Sequence, residues 1–312
     1  MKAVRLHGRG GASQLFYEDA PVPRLQAGDA LVRVYATGIT PAELTWDETY
    51  QNPDGSPRIP SIPGHEVAGT VESLAPGKAD FHAGDAVYGL TDFPRDGAAA
   101  EFVAVRAANL APKPNSIDFV HAAAMALSGL TAWQALFTHA NLQPGQKVLI
   151  HGGAGGLGVF AVQLARWRGA HVSATARAKD AEFLRGLGAD RVIDYATERF
   201  EEILSDQDLV LDLIGGETQE LSWKVLRRDG LLINLSAPIP KEKPVQHRVR
   251  GMFFIVEADR KDLTQLAHLA DGGALKSIVS RVLPLADARQ AFELPPPDRA
   301  PGKAVIQVRA AS

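Results

Sequence analysis

The stretch Lys147-Val-Leu-Ile-His-Gly-Gly-Ala-Gly-Gly-Leu-Gly158 joins a short apolar strand to a glycine-rich turn. The residues that follow, from Val159 to Arg168, repeat apolar side chains at helical spacing. A strand, a glycine turn and a helix in this order are typical of dinucleotide binding, because free N–H groups at the helix N-terminus face the pyrophosphate. A glycine turn that only packs a helix on a sheet is the alternative. The loop residues expected to contact the cofactor are Gly153, Gly155, Gly156, Leu157 and Gly158.

Strands and helices alternate on the C-terminal side of this turn, with helices expected from Gly156, Asp180 and Glu217. Alternating β and α units predict a parallel sheet with helices on both faces. The strands predicted for this sheet, after Lys147–His151, are His171–Thr175, Arg191–Asp194, Asp208–Asp212, Leu231–Leu235 and Gly251–Val256.

The first third of the chain instead shows short strands of alternating polarity between Gly, Pro and Asp residues, which predicts a small barrel-like β domain. A helical pattern then covers Asp118 to Ala140, and Pro295–Pro297 is expected to form a short rigid turn. The 312 residues, 46% of them hydrophobic, suggest two domains. The strands predicted for the β domain, including two from the C-terminal tail, are Ala3–Leu6, Leu15–Glu18, Ala30–Thr37, Glu66–Ser73, Ala86–Gly89, Ala100–Val105, Ser280–Leu283 and Ala304–Val308.

The composition excludes several classes of function. Cysteine is absent, so disulfides, thiol nucleophiles and cysteine-bound metals play no part. A net charge of −3, from 33 basic and 36 acidic residues, provides no basic field for nucleic acid or a membrane surface. The first residues contain no apolar run of the secretory kind, and we expect a cytoplasmic protein.

The end of the second strand of the alternating region indicates which dinucleotide binds. An NAD enzyme usually presents a carboxylate there to the ribose 2′-hydroxyl. Here the residues are Thr175-Ala-Arg-Ala-Lys179, and the next acid, Asp180, is better placed in the first turn of a helix. Because Arg177 can pair with a 2′-phosphate and Lys179 adds a second positive charge, NADPH is favoured over NADH. Both side chains could instead be solvated.

Several spaced motifs resemble the zinc-free quinone oxidoreductase branch of the medium-chain dehydrogenase/reductase superfamily. The resemblance implies an α/β protein with a GroES-like β-rich catalytic domain (1–117 and 281–312) and a Rossmann doubly wound parallel-sheet domain (118–280) that binds NADP(H), with the nicotinamide in the cleft between them. Besides the glycine loop, the motifs are Pro63-Gly-His-Glu-Val-Ala-Gly69, Phe81-His-Ala-Gly-Asp-Ala-Val-Tyr-Gly89, Ala100-Glu-Phe-Val-Ala-Val105, Leu130-Thr-Ala-Trp133 and Leu187-Gly-Ala-Asp-Arg-Val-Ile-Asp-Tyr195.

Zinc enzymes of this superfamily hold the metal with a Cys, a His and a second Cys. The matching residues here are Thr40, His65 and Leu127. One imidazole, even with Glu66, cannot supply the three protein ligands of a catalytic zinc. We therefore expect no metal.

The resemblance also implies site residues. Zinc-free members usually carry Gly-Val-Asn-Pro-x-Asp where this chain has Gly38-Ile-Thr-Pro-Ala-Glu43, which keeps polarity but changes reach. The residues expected to form the substrate pocket are Thr40, Glu43, Trp46 and Tyr50. The residues expected to bind the cofactor, besides the glycine loop, are Thr131, Ala176, Arg177, Lys179, Tyr195, Ile214, Leu235, Ser236, Phe253 and Phe254.

The function that follows is NADPH-dependent hydride transfer to a quinone or an electron-poor alkene. Two alternatives stay open: an enoyl-thioester reductase of the same superfamily, with Tyr50 as proton donor, and a protein that binds NADPH without turnover. The apolar stretch Gly251–Val256 would otherwise be an exposed sheet edge, so we also expect a homodimer.

Overall fold

The computed structural model describes residues 1–77, 80–293 and 298–310, so the turn predicted at Pro295–Pro297 lies outside the described residues. The strands are β1 (Lys2–Leu6), β2 (Leu15–Asp19), β3 (Asp29–Gly38), β4 (Glu66–Leu74), β5 (Ala86–Leu90), β6 (Phe102–Arg106), β7 (Leu110–Pro112), β8 (Lys147–Ile150), β9 (His171–Ala176), β10 (Arg191–Asp194), β11 (Gln207–Asp212), β12 (Leu226–Asn234), β13 (Arg250–Met252), β14 (Val279–Pro284) and β15 (Lys303–Gln307). The helices are α1 (Phe119–Trp133), α2 (Gly158–Trp167), α3 (Ala181–Leu187), α4 (Phe200–Ile203), α5 (Glu217–Ser222), α6 (Glu242–His247), α7 (Arg260–Asp271) and α8 (Ala288–Phe292).

The chain divides into two compact units, each of which we describe by itself. The first comprises Met1–Leu130, Ala258–Gly273 and Ser277–Ser312, and the second comprises Thr131–Glu257 and Ala274–Lys276. These limits differ from the predicted domain boundaries because most of α1, together with α7, belongs to the first unit. The Tyr88 hydroxyl, for example, donates a 2.5 Å hydrogen bond to the Leu263 carbonyl of α7.

The first unit is built on a seven-stranded sheet and a separate hairpin of β1 and β2. The path through the large sheet is β14-β15-β3-β4-β5-β7, and β6 also pairs with β3. All of these pairings are antiparallel except that of β14 with β15, which is parallel. The C-terminal strand β15 pairs with β3, so the tail completes this unit as expected. Alternate residues of β3, such as Ala30, Val32 and Val34, are buried in its core.

The second unit is a six-stranded parallel sheet in the order β10-β9-β8-β11-β12-β13. Its direction of winding reverses between β8 and β11, and ligands of such sheets bind at the carboxyl ends of the strands next to this point. Residues 148–150 of β8 are fully buried. The predicted combination of a β-rich domain with a doubly wound Rossmann domain is confirmed.

The strand predicted at Gly251–Val256 is wrong in its extent, because β13 covers only Arg250–Met252. Its pairing with β12 ends at Ile233 and Met252, and β12 itself ends one residue later, at Asn234. Phe253 and Phe254 therefore lie beyond the strand.

The helical stretch Phe119–His139, formed by α1 and a π-helical turn at Gln134–His139, is long and apolar enough to cross a membrane by length and composition. In its most apolar window 78% of the residues are buried inside the protein, which is the environment of a core helix.

Candidate functional site

The loop between β8 and α2 can hold its shape only with glycine at several positions. A Cβ atom on Gly158 would stand 2.2 Å from the Gly152 carbonyl oxygen and 2.7 Å from the Gly153 Cα. A Cβ on Gly153 would stand 2.9 Å from the Ala174 side chain in β9. The close approach of helix and strand therefore requires glycine, which has no Cβ, at both positions, as the sequence pattern predicts. The loop ends at the N-terminus of α2, where Gly158 is the first helical residue.

A chain of buried hydrogen bonds lies under the loop. The Gly152 N–H donates to Thr175 Oγ1 over 3.2 Å, and Thr175 Oγ1 is 3.1 Å from His151 Nδ1. His151 Nε2 is 3.0 Å from Ser222 Oγ, and Ser222 donates to the Thr218 carbonyl over 2.7 Å. Burial lowers the pKa of His151 to about 3, so the ring is neutral. Since Ser222 uses its proton on Thr218, His151 Nε2 is the donor and Nδ1 accepts from Thr175.

Thr175→Val removes the hydroxyl at the centre of this chain, so the Gly152 N–H and His151 Nδ1 lose their partners. We expect a loss of about 2 kcal/mol in the free energy of unfolding, within the usual 1–3 kcal/mol range for a buried group left unsatisfied. Urea unfolding measures it. Thr197→Val is the matched control, because Thr197 donates to Asp194 on the exposed surface and its loss should cost less than about 0.5 kcal/mol. Equal losses in the two variants would contradict the assigned chain.

The end of β9 carries an arginine in a fixed position. Ala176, the last residue of the strand, has no carboxylate, and the Arg177 guanidinium contacts the Asp180 carboxylate through Nε at 3.0 Å and Nη2 at 2.9 Å. Asp180 is buried and lies at the start of α3, as predicted. Tyr195 reaches the same edge of the sheet, because its N–H donates to the Ala176 carbonyl, and its side chain is exposed. Lys179 lies in the turn between Arg177 and Asp180.

The second loop at this sheet edge follows β11. Asp212 Oδ1 accepts the N–H groups of Ile214 at 2.9 Å and Gly215 at 3.0 Å, which fixes the turn. The Ile214 side chain is exposed and would lie 3.1 Å from a Cβ on Gly152, so the two loops meet where the winding reverses. Ser236 follows β12 and bonds to Asn234 Oδ1 through both its N–H and its hydroxyl.

The remaining residues predicted to bind the cofactor are Leu235, Thr131, Phe253 and Phe254. Leu235 is half-buried between β12 and Ser236. Thr131 is buried in the last turn of α1. The Phe254 ring packs on His139 with centroids 4.3 Å apart, and Phe253 is half-buried beside it in sequence.

In the first unit a buried lysine organises a polar cluster that we call the Lys303 cluster, formed by Thr40, Glu66, Ser128 and Lys303. Lys303 Nζ is 2.5 Å from Glu66 Oε1, 2.9 Å from Thr40 Oγ1 and 3.0 Å from Ser128 Oγ. Glu66 Oε2 accepts the Leu127 N–H over 3.2 Å. Gly38 makes room for this carboxylate, because a Cβ there would stand 2.7 Å from it.

Glu43 and His65 form a neutral pair next to this cluster in the sequence. Glu43 Oε2 accepts the Gly64 N–H over 2.8 Å and lies 3.8 Å from His65 Nε2, while Glu43 Oε1 has no hydrogen-bond partner among the described residues. Burial raises the pKa of Glu43 to about 8 and lowers that of His65 to about 3. The contact is therefore not an ion pair at neutral pH. Trp46, half-buried, stacks on His65 with centroids 6.1 Å apart.

Tyr50 belongs to the hydrophobic core that packs on β1. Its hydroxyl donates to the Leu44 carbonyl over 2.5 Å, and Arg9 covers its ring at 4.2 Å. The side chain is buried, which raises the pKa of the phenol. A phenol committed to a backbone carbonyl is a poor proton donor, so this placement weighs against the enoyl-reductase alternative.

Within residues 1–77, 80–293 and 298–310, no group of three or more His, Cys, Asp and Glu side chains could hold a metal ion. Of the three positions that match zinc ligands in the superfamily, Thr40 contacts the Lys303 ammonium and His65 Nδ1 bonds to Thr91 Oγ1 at 2.6 Å. The third, Leu127, contributes its backbone N–H to Glu66.

Lys303, Ser128 and the buried chain of hydrogen bonds through His151 were not predicted from the sequence. Lys303 is 263 residues from Thr40, and its one local signal is a charge at the first position of an apolar strand. Nothing in its spacing links it to the Gly-His-Glu motif. The β3–β15 pairing brings them together.

Comparison with known proteins gives consistent results along the chain. Residues 26–115 match the family model described as alcohol dehydrogenase GroES-like domain, and residues 187–306 match the one described as zinc-binding dehydrogenase. The chain is 30% identical over 92% of its length to a probable zinc-binding oxidoreductase, mitochondrial, of Arthroderma benhamiae, covering 91% of that protein. It is also 30% identical to the NADPH-dependent alkenal/one oxidoreductase, chloroplastic, of Arabidopsis thaliana, over 98% of this chain and 79% of that protein.

Among solved structures, the Escherichia coli quinone oxidoreductase complexed with NADPH matches with a TM-score of 0.88 and 26% identity. The match covers 99% of this chain and all of the other.

Proposed function

Because the chain belongs to the medium-chain dehydrogenase/reductase superfamily as a quinone oxidoreductase-like NAD(P)H oxidoreductase, we propose that it reduces quinones or electron-poor alkenes with NADPH and without zinc. The observation that carries the NADPH assignment is the guanidinium of Arg177 at the end of β9, next to the uncharged Ala176. The similarity to the NADPH-dependent alkenal/one oxidoreductase of Arabidopsis and to the Escherichia coli quinone oxidoreductase complexed with NADPH supports the cofactor and the two substrate classes.

The residues present fit a dinucleotide. Gly153 and Gly158 let β9 and α2 pack closely on the loop, where a Cβ atom would clash, and the loop ends at the N-terminus of α2. When bound, the nicotinamide supplies the hydride, which is the chemistry that the protein itself lacks. The glycine loop would hold the pyrophosphate, Arg177 the 2′-phosphate, and Ile214 and Ser236 would border the ribose.

The Lys303 cluster supports a zinc-independent reaction. Thr40 occupies the position of one zinc ligand of the zinc relatives, and Glu66 directly follows another, His65. Both side chains contact the Lys303 ammonium. A positive charge held by these two oxygens disfavours a second cation there. A homodimer and a cytoplasmic location are also part of the proposal. The homodimer is supported by β13, which is the last strand in the order of its sheet.

The test of the function is a panel of quinones, alkenals, enones and enoyl-CoA thioesters, assayed by NADPH oxidation with protein dialysed against EDTA. We expect turnover with quinones or alkenals that exceeds turnover with thioesters, and no dependence on added zinc. A protein that binds NADPH but oxidises it with none of these acceptors would be a non-catalytic binding protein. A preference for thioesters would identify the enoyl-reductase alternative.

Arg177→Ala should weaken NADPH binding about tenfold and leave NADH binding unchanged, because only NADPH carries the 2′-phosphate. A hydrogen bond to a charged group contributes about 1.5–3 kcal/mol, and each 1.4 kcal/mol changes the affinity tenfold. Asp180 offsets part of the guanidinium charge, so we expect the lower end of this range.

Titration calorimetry with both cofactors measures this difference, and Arg185→Ala, an exposed arginine of α3, is the control. Equal losses for NADPH and NADH in Arg177→Ala would show that this side chain does not recognise the phosphate.

A further inference from the structure

The ammonium of Lys303 has three N–H groups, and each has a partner. They point to Glu66 Oε1 at 2.5 Å, Thr40 Oγ1 at 2.9 Å and Ser128 Oγ at 3.0 Å. Because a lysine ammonium can only donate, the Thr40 hydroxyl oxygen must accept this hydrogen bond. The hydrogen of Thr40 is therefore available to point elsewhere.

The acceptor that the protein offers to this hydrogen is a weak one. Thr40 Oγ1 is 3.3 Å from Glu66 Oε1, beyond the usual 2.5–3.0 Å range for a bond between two oxygens, and the same Oε1 already receives the ammonium. A better placed oxygen would draw the hydroxyl hydrogen away from Glu66.

Exposure distinguishes Thr40 from the other members of the cluster. Glu66, Ser128 and Lys303 are 1%, 2% and 6% exposed, whereas Thr40 is only half-buried. Thr40 is thus the member of the Lys303 cluster through which the buried ammonium can act on a bound molecule. It also lies two residues after the end of β3 and directly before Pro41, which starts a short helical turn.

We propose that Lys303 is a positioning residue that fixes and polarises the Thr40 hydroxyl, so that Thr40 donates a hydrogen bond to the carbonyl oxygen of the substrate. This inference rests on the proposed function. Hydride arrival brings two electrons to the quinone or enone and leaves negative charge on its oxygen. Thr40 stabilises that charge, water supplies the proton that completes the hydroquinone or the reduced carbonyl compound, and NADPH leaves as NADP⁺.

The test removes the ammonium without leaving a buried carboxylate uncompensated, because an unpaired Glu66 would destabilise the fold by itself. The variants are Glu66→Gln alone, Glu66→Gln with Lys303→Met, Thr40→Val alone, and all three substitutions together. Lys2→Met is the matched control, since Lys2 is an exposed lysine paired with Asp19. Steady-state kinetics with the acceptor that the wild type reduces best gives kcat and both KM values, and thermal unfolding reports the fold.

Glu66→Gln is the reference protein for the other comparisons, because it removes the carboxylate while the ammonium still reaches Thr40. The added Lys303→Met should lower kcat by about 10- to 100-fold with both KM values nearly unchanged, as for the loss of one charge-assisted hydrogen bond formed in the transition state. Thr40→Val should lose as much by itself and no more in the triple variant, because the two residues act through one bond.

Two results would overturn the inference. One is a Glu66→Gln, Lys303→Met protein whose kcat stays within threefold of Glu66→Gln. The other is an additive further loss from Thr40→Val in that background, which would mean that Lys303 does not act through Thr40. Failure of the proposed function is recognised separately, as wild-type protein without acceptor-dependent NADPH oxidation, and it would overturn this inference as well.

Discussion

Alanine at Gly158 is expected to lower the affinity for both NADPH and NADH by at least about 100-fold. The added Cβ would stand 2.2 Å from the Gly152 carbonyl oxygen and 2.7 Å from the Gly153 Cα, and backbone atoms at these distances must move. The loop would then shift away from the N-terminus of α2. Two backbone hydrogen bonds to the pyrophosphate, at about 1.5–3 kcal/mol each, correspond to about 100- to 10,000-fold in affinity.

Gly186→Ala provides the matched control. Gly186 lies in α3 of the same unit, and a Cβ there would meet no atom within 4 Å. It should bind both cofactors normally and gain up to about 1 kcal/mol of stability from the better helix former. Cofactor titration followed by tryptophan fluorescence measures both variants, and thermal unfolding shows whether Gly158→Ala remains folded. Unchanged binding by a folded Gly158→Ala protein would remove the glycine loop from the site. Because both cofactors share the pyrophosphate, this result is independent of the test at Arg177.

The glycine loop was predictable because its strongest requirement is local. Strand, turn and helix follow one another within 147–167, and a Cβ on Gly158 would clash with loop residues no more than six positions away. The parallel direction of the strands follows from the alternation of strands and helices. The extent of β13 did not follow, because it depends on where its neighbour β12 ends.

The polar site of the first unit was only half predictable. Thr40 was identified from its motif, but its partner Lys303 comes from a strand near the other end of the chain. Tyr50 and Glu43 were predicted as pocket residues from their sequence positions, and the structure shows both side chains buried. Whether a polar side chain in a short loop points outward depends on packing that no local pattern reveals. Helix α7 was not predicted, although its buried residues Leu263, Leu266 and Ala270 have helical spacing and the Asp259 side chain caps its N-terminus.

Burial of Glu43 as a neutral acid predicts a large pH effect on stability. The folded protein holds the pKa of this carboxyl at about 8, against an ordinary value of 4.5. Below pH 4.5 the group is protonated in both states, so the stability associated with it is complete. As the pH rises, the unfolded chain ionises first, and stability is lost progressively until the pH passes about 8. A shift of this size corresponds to about 3–5 kcal/mol.

Glu43→Gln keeps an oxygen for the Gly64 N–H but cannot ionise. We therefore expect the variant to be within about 1 kcal/mol of the wild type at pH 5 and more stable than it by about 3–5 kcal/mol at pH 8.5. Urea unfolding at the two pH values measures the difference. His65 and His151, whose lowered pKa values reduce stability at acid pH, are present in both proteins. Their effect on the free energy of unfolding therefore cancels when the two proteins are compared at the same pH.

The control for this effect is Glu48→Gln. Glu48 lies five residues after Glu43 in the chain, and its side chain is exposed. It should change the free energy of unfolding by less than about 0.5 kcal/mol at both pH values, as surface substitutions usually do. A Glu43→Gln protein that gains no stability between pH 5 and pH 8.5 would show that the carboxyl is ionised at neutral pH in the folded protein. In that case Glu43 and His65, 3.8 Å apart, would have to be treated as a charged pair, and the negative charge next to the Gly-His-Glu motif would oppose anion stabilisation by Thr40. The pH dependence of stability therefore tests an electrostatic condition on which the proposed role of Thr40 depends.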